Sequence, residues 1–320
     1  MLKINPLSTL YVGIDVSSKS NYVCALDFYK NKYINSSFAN NQPGAEELAL
    51  KILECLKEHP DITTIVAALE STSVYSIHIA NYLSSCEELM RFKPYVFVLN
   101  PKCTANYKKS YIGLGKSDPI DAFVIADYAR AGNIESEPWR GSQFLALKRL
   151  TRHRLHLVEC MTREKTYLVS NLYLKFSELQ MLEGDDQPFC DIYGATSSSV
   201  LMEYLSPEEI LVSSEEDLIA FLAEKSRNRI KDISKTADLL KKAARDSYRL
   251  DKALYEPLNV SIASSFNCIE TFKREIKVID NAIEKEIKGL NPNAFIILQS
   301  IDGIGPVFAG GIIAEIGDIT

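Results

Sequence analysis

Residues 11–16 read YVGIDV, residues 21–28 NYVCALDF and residues 33–38 YINSSF. These three runs decide the fold. The first is a short apolar run, the second carries β-branched and aromatic residues, and the third follows a turn supplied by Asn31 and Lys32. Three such strands in succession predict an antiparallel meander. Working outward, residues 43–57 (PGAEELALKILECLK) carry Leu48, Ile52, Leu53 and Leu56 at helical spacing, with Pro43 near the start. Residues 62–69 (ITTIVAAL) form a fourth strand, apolar throughout, as suits a sheet covered on both faces. A helix over 73–84, a strand over 95–99 and a helix over 118–131 follow. Three strands, helix, strand, helix, strand, helix is the order of the RNase H-like α/β fold, and a domain of that class is predicted over residues 1–137.

After Pro138 and Trp139 the pattern changes. Residues 143–179 read as one long Arg-rich helix with Leu145, Leu150, Leu157, Val158, Leu168, Leu172 and Phe176 as its apolar stripe. Residues 183–196 (EGDDQPFCDIYGAT) break it, and Ser206 and Ser213, each followed by acids, look like helix starts. A second long helix is predicted over 254–290, its apolar residues stepping by threes, fours and one seven. Two long helices with smaller ones between them predict an antiparallel coiled-coil stalk in a helical, basic region over residues 138–291. Residues 292–320 then begin a further C-terminal domain.

At 320 residues the chain exceeds one ordinary core. Nearly half the residues are apolar and about a quarter charged, the profile of a soluble globular protein. No apolar run reaches the roughly 18 residues a membrane helix needs, and the first residues, MLKINPLSTL, have no secretory pattern, so no membrane association and a cytoplasmic location are expected. The seven cysteines are scattered and never form CxxC, which predicts reduced, mostly buried thiols with neither zinc nor disulfides. The net charge of −6 argues against coating nucleic acid through bulk charge. Charge is segregated, however. Residues 140–175 hold eight Lys/Arg against two acids, while the acidic excess lies mainly in residues 178–224.

Four carboxylates stand out. Asp15 projects near the end of the first strand, where a charge is costly to bury unless a divalent ion or similar group neutralises it. Glu70 stands at the tip of the apolar fourth strand. Asp118 and Asp121, three apart at a helix start, point to one face. Singly, each has an ordinary explanation: Asp118 as an N-cap, Asp121 in the first turn, Glu70 ending a strand, Asp15 opening a turn. Together, at strand ends and a helix start of one fold, they predict a site for magnesium or manganese, suited to two-metal phosphoryl transfer.

The stretches GIDVSSK (13–19), LESTSVY (69–75) and KSDPIDA (116–122) resemble the three motifs of the DEDD-type, RuvC-like transposases of the insertion-sequence family numbered one-ten. LQSIDGIGPVFA (298–309), running on to Asp318, resembles the C-terminal transposase region of that family. The resemblance implies that Asp15, Glu70, Asp118 and Asp121 are catalytic, metal-binding acids. It implies DNA strand cleavage and exchange by a homo-oligomer, dimer or tetramer, guided by a structured RNA. In that family a serine in a Ser-Gly motif beyond the Gly-Ile-Gly region is the nucleophile. The sequence stops at Thr320 before such a motif, so the expectation is a C-terminal domain cut short, with no serine assigned that role.

Nucleic-acid contacts are expected in three places. The first is the basic helix, through Lys148, Arg149, Arg152, Arg154, Arg163 and Lys165 with His153 and His156 beside them. The second is the segment with Lys102, Tyr107, Lys108, Lys109 and Lys116, where aromatic rings could stack on bases. The third is a helix-hairpin-helix around Gly303 and Gly305, whose amides could meet a phosphate, against the plainer reading of an ordinary helical hairpin. A RuvC-like nuclease with the same acids and a non-catalytic nucleic-acid-binding module remain as alternatives. A sugar kinase or ATPase of similar strand order would need a second glycine-rich phosphate loop, which the sequence does not contain.

Overall fold

The computed structural model describes residues 4–111, 113–139 and 141–317. Arg140 and Asp318, both noted in the sequence, lie outside the described residues. The chain divides into two compact units, Met1–Leu145 and Ala146–Thr320.

The first unit is built on five strands: β1 Thr9–Val16, β2 Ser20–Leu26, β3 Lys32–Ala39, β4 Thr64–Glu70 and β5 Tyr95–Leu99. They lie in the order β3-β2-β1-β4-β5. β1, β2 and β3 form the expected antiparallel meander, while β4 and β5 run parallel to β1. The helices are α1 Gln42–Glu58, α2 Tyr75–Ser85, α3 Glu87–Met90, α4 Pro101–Lys108 and α5 Asp118–Arg130. Of these, α3 and α4 go beyond what the sequence pattern predicts.

The period of two in β1 sorts its side chains onto two cores. Leu10, Val12, Ile14 and Val16 pack with Leu48, Ile52 and Leu56 of α1 and with Ile79 and Leu83 of α2. On the other face Tyr11 joins Cys24, Leu26, Val66, Ala68, Phe97 and Leu99 beneath Ala122, Ile125, Ala126 and Ala129 of α5. Gly13 lies on this second face. A Cβ there would come within 2.2 Å of the Ala122 carbonyl oxygen, so α5 rests directly on the β1 backbone. Asp15, two residues further, shares that face.

The second unit is helical: α6 Ser142–Lys175, α7 Ala195–Glu203, α8 Pro207–Val212, α9 Glu215–Ser226, α10 Ile233–Asp246, α11 Lys252–Leu290, α12 Pro292–Gln299 and α13 Pro306–Ile316. The first long helix stops four residues before its predicted end, because Phe176 leaves helical geometry at φ −143°. Leu168, Leu172 and Phe176 enter a core with Val200, Leu218, Leu222 and Leu240 from the short helices and with Ile262, Phe266 and Ile269 of α11. Ser214, one residue after the expected position, caps α9 by accepting the Asp217 amide at 3.1 Å. Asn291 caps α12 through the Ala294 amide at 3.0 Å. Between α12 and α13 Gly303 takes φ +88°, which favours glycine.

All seven cysteines are unpaired, and only Cys24, Cys55 and Cys86 are buried, fewer than the composition suggests. Cys103 and Cys268 sit on exposed positions of α4 and α11, a distribution that composition does not reveal. Among the described residues no helix is long and apolar enough to cross a membrane.

Candidate carboxylate centre

The parallel strands β1, β4 and β5 end on one edge of the sheet, where open α/β sheets place their ligands. Asp15 stands next to last in β1, and Glu70 is the last residue of β4. Gly13 pairs with Ala68 and Ile14 with Leu69, which sets Asp15 and Glu70 at neighbouring strand ends on the α5 face. α5 begins at the same edge with Asp118 and Asp121. All four acids line one cavity of about 660 Å³, together with Thr72, Thr104, Lys108 and Lys116.

Asp15 registers this gathering of charge. Burial, then the carboxylates of Asp121, Asp118 and Glu70, push its pKa up to about 6, with the Lys108 ammonium opposing them. The ordinary explanation holds for Asp121, which lies with Asp118 in the first turn of α5, but not for Asp118 as the cap. Ser117, not Asp118, is the N-cap, its carbonyl accepting the Asp121 amide at 2.9 Å. Among the described residues neither aspartate caps the helix.

Two of the acids are held from α4. This helix starts at the carboxyl end of β5, where Asn100 accepts the Lys102 amide at 3.0 Å and Pro101 takes the first helical position. Thr104 donates its hydroxyl to Glu70, and the Lys108 ammonium forms an ion pair with Asp121. The Thr104 oxygen also lies 3.0 Å from the Pro101 carbonyl, but its single proton goes to the charged acceptor. From the sequence, Lys108 belongs to a DNA-facing segment and Thr104 has no role. The signal that would have found both is their i, i+4 spacing after the Asn100-Pro101 helix start.

Four hard oxygen donors on one cavity suit magnesium or manganese in kind. No three acidic, His or Cys side chains among the described residues gather around one point. Lys108 meets Oδ1 of Asp121, and the carboxylate keeps its second oxygen outside that ion pair.

Beneath the cavity Asp127 of α5 is fully buried. It accepts Tyr107 at 2.8 Å, Arg130 at 2.6 Å, Lys30 at 3.2 Å and the Tyr111 hydroxyl. Burial opposes its ionisation, yet hydrogen bonds from Tyr111, Arg130, Tyr107 and Lys30 hold its pKa below the usual carboxylate range. This network fixes the end of α4 on α5. It also corrects the expected role of Tyr107: its hydroxyl is committed to Asp127 and its ring packs edge-on against Tyr111 and Tyr128, so it is not a free stacking platform. Lys116 is exposed on the cavity, and Lys109, also exposed, donates to Asn106 at 2.9 Å.

The basic helix divides in the same way. Lys148 and Arg152 both pair with Glu315 of α13, at 2.7 and 3.1 Å, and Arg154 pairs with Asp280 of α11 at 2.5 Å. These three join helices within the second unit. Lys165 lies 4.6 Å over the Tyr193 ring, and Lys175 is wholly buried. Arg149 and Arg163 are exposed, with no ion-pair partner among the described residues. Gly303 and Gly305 flank the turn before α13, and no described atom lies within 4 Å of where a Cβ on either would stand.

A family model described as a transposase, of DEDD type and insertion-sequence family one-ten, matches residues 12–177. Comparison with curated proteins gives no match.

Proposed function

The chain belongs to the DEDD transposases of insertion-sequence family one-ten, and from that membership we propose that its first unit is an RNase H-like catalytic domain acting on DNA through Asp15, Glu70, Asp118 and Asp121. The observation that carries this reading is the meeting of four acids from β1, β4 and α5 on one cavity, with the Asp15 pKa raised by the other three. Bound there, magnesium or manganese supplies activation of an attacking oxygen and stabilisation of the leaving oxygen in phosphoryl transfer.

The protein side of that chemistry is positional. Asp15 and Glu70 sit on rigid strand ends, and α5, seated against Gly13, brings Asp118 and Asp121 to them. In the metal-free chain burial and the neighbouring carboxylates raise the Asp15 pKa to about 6, and a cation bound beside it would favour the carboxylate form. Lys116 and Lys109 present ammonium groups to a DNA backbone near the acids, while Arg149 and Arg163 offer guanidinium groups on α6.

Residues 1–137 are the catalytic domain in this reading, residues 138–291 the helical nucleic-acid-binding region, and residues 292–320 a helix-hairpin-helix segment. The coiled-coil reading of the two long helices rests on their length and apolar spacing, since Ile283 and Ile287 near the end of α11 are buried against Gly310 of α13. The family likeness adds a guide RNA and a homo-oligomer. No serine of the 320 residues is given the nucleophile role.

Calorimetric titration with manganese tests the centre. Binding by the wild-type chain that disappears in Asp118→Asn with Asp121→Asn is the expected result. Equal binding in the double variant would remove these acids from the metal site.

A further inference from the structure

The cavity wall opposite β1 is α4, and its inward face carries Thr104 and Lys108 one helical turn apart. Each contacts a different acid of the centre: Thr104 donates to Glu70, and Lys108 pairs with Asp121. Thr104 is 1% exposed. The Lys108 and Asp121 side chains are 22% and 24% exposed, so water screens their attraction less than on an open surface. α4 is itself anchored, since Tyr107 between these two residues donates to the buried Asp127.

We propose that Lys108 is a tethered counter-cation that competes with the divalent ion for Asp121, and that Thr104 fixes Glu70 for the same ion. This rests on the metal reading of the four acids and assigns α4 a role that reading lacks. The two residues act with opposite sign. A hydroxyl bonded to one oxygen of Glu70 orients the carboxylate without neutralising it, as outer-sphere partners of metal ligands do. An ammonium on Asp121 supplies the positive charge that an ion would bring, and the two cannot share the same lone pairs at full strength. Lys108 has a flexible four-carbon stem, so it can leave while Thr104 stays. Once released from Asp121, the ammonium is available to a phosphate oxygen. Metal binding then turns an internal ion pair into a DNA contact, by a coupling that must run in both directions.

Manganese titrations and DNA-binding assays on the wild type, Lys108→Met, Lys108→Arg and Thr104→Val test the proposal, with far-UV circular dichroism and thermal melts to establish that each variant is folded. Lys108→Met should bind manganese about tenfold more tightly and Thr104→Val about tenfold more weakly, with Lys108→Arg close to wild type. With a short DNA duplex in calcium, Lys108→Met should lose about one unit of the logarithmic salt slope, and with a chelator present it should match the wild type. Weaker or equal manganese binding by folded Lys108→Met overturns the competition, and wild-type affinity in Thr104→Val overturns the orienting role. If neither the wild type nor Lys108→Met binds manganese, the metal reading itself falls and takes this proposal with it. If the wild type binds and Lys108→Met is unchanged, only the lysine proposal falls.

Discussion

A Cβ on Gly13 would stand 2.3 Å from the backbone nitrogen of Ala126. Both sides of that contact are backbone, so neither a rotamer change nor a flexible side-chain end can relieve it. Gly13→Ala must push α5 away from β1, and the helix carries Asp118 and Asp121 with it. The expected loss of stability is about 1–3 kcal/mol, the usual range for an overpacked core, read from a urea denaturation curve. Manganese affinity should fall as well under conditions where the variant remains folded. A Gly13→Ala protein with the wild-type midpoint and affinity would mean that this close approach does not position the acids.

Asp15 gives the metal-free protein a pH dependence whose sign is fixed. Its pKa is raised from an ordinary value near 3.8 to about 6 in the folded chain, by burial first and then by Asp121, Asp118 and Glu70. The fold therefore prefers the protonated acid. Its contribution to stability is complete below the unfolded value near 4 and is lost as pH rises through about 6. Asp15→Asn should remove that part of the dependence and make the metal-free protein more stable than wild type at neutral pH. The gain is on the order of 1–2 kcal/mol, after allowance for the solvent that reaches this half-buried group. Denaturation curves at about pH 5 and about pH 7.5, with a chelator present, measure it. Saturating manganese should reverse the ranking at neutral pH.

Lys175 carries the opposite kind of shift. It is fully buried, and its ammonium donates to the Leu201 carbonyl and to Asn259 Oδ1, both at 2.6 Å. Asn259 in turn donates to the Leu205 carbonyl at 2.8 Å, so the pair closes the carboxyl end of α7 against α6 and α11. Burial lowers the Lys175 pKa to about 8, with Glu209 opposing. The unfolded chain then binds more protons between about pH 8 and 10.5, and stability rises with pH across that window. Lys175→Met should abolish a rise on the order of 2–3 kcal/mol. The quantity to measure is the difference between wild-type and variant midpoints at about pH 7.5 and about pH 10, in which all shared titrations cancel. A difference that does not change with pH would place the charged form of Lys175 in the fold at no cost.

The parts of this structure that the sequence makes legible are those with a local signature. β1 to β3 show as short β-branched runs, and Asp15 and Glu70 show because a charge at the end of an apolar strand breaks a pattern. α4 is not legible in that way. Residues 101–108 have only Thr104 buried, so no apolar stripe marks them as a helix. Without the helix, Thr104 and Lys108 have no common face. Tyr107 looks like an exposed aromatic until Asp127, twenty residues later, is found beneath it. The basic helix is only partly legible for a related reason. A run of Lys and Arg states how much charge a helix carries, while the partners that consume it, Asp280 and Glu315, lie 126 and 163 residues away from Arg154 and Arg152.

That division of the basic helix predicts two classes of variant. Arg149 and Arg163 are exposed and have no ion-pair partner among the described residues, so their guanidinium groups are free to meet phosphates. Arg149→Ala and Arg163→Ala should each weaken DNA binding evenly across sequences, lower the logarithmic salt slope by about one, and leave the melting temperature nearly unchanged. Arg154 is different. Its side chain is 23% exposed and bonded to Asp280, so Arg154→Ala strands a partly buried carboxylate on α11. Its first effect should be a lower melting temperature, with little change in the salt slope of the protein that remains folded. Lys148 and Arg152 share Glu315, and either can hold it when the other is removed, so the single alanine variants should be mild in stability and the double variant more than additive. Filter-binding or anisotropy titrations at several salt concentrations, paired with thermal melts, separate the classes. A salt slope that drops as much for Arg154→Ala as for Arg149→Ala would mean that the Asp280 pair opens on DNA and that the whole stripe binds as the sequence alone suggests.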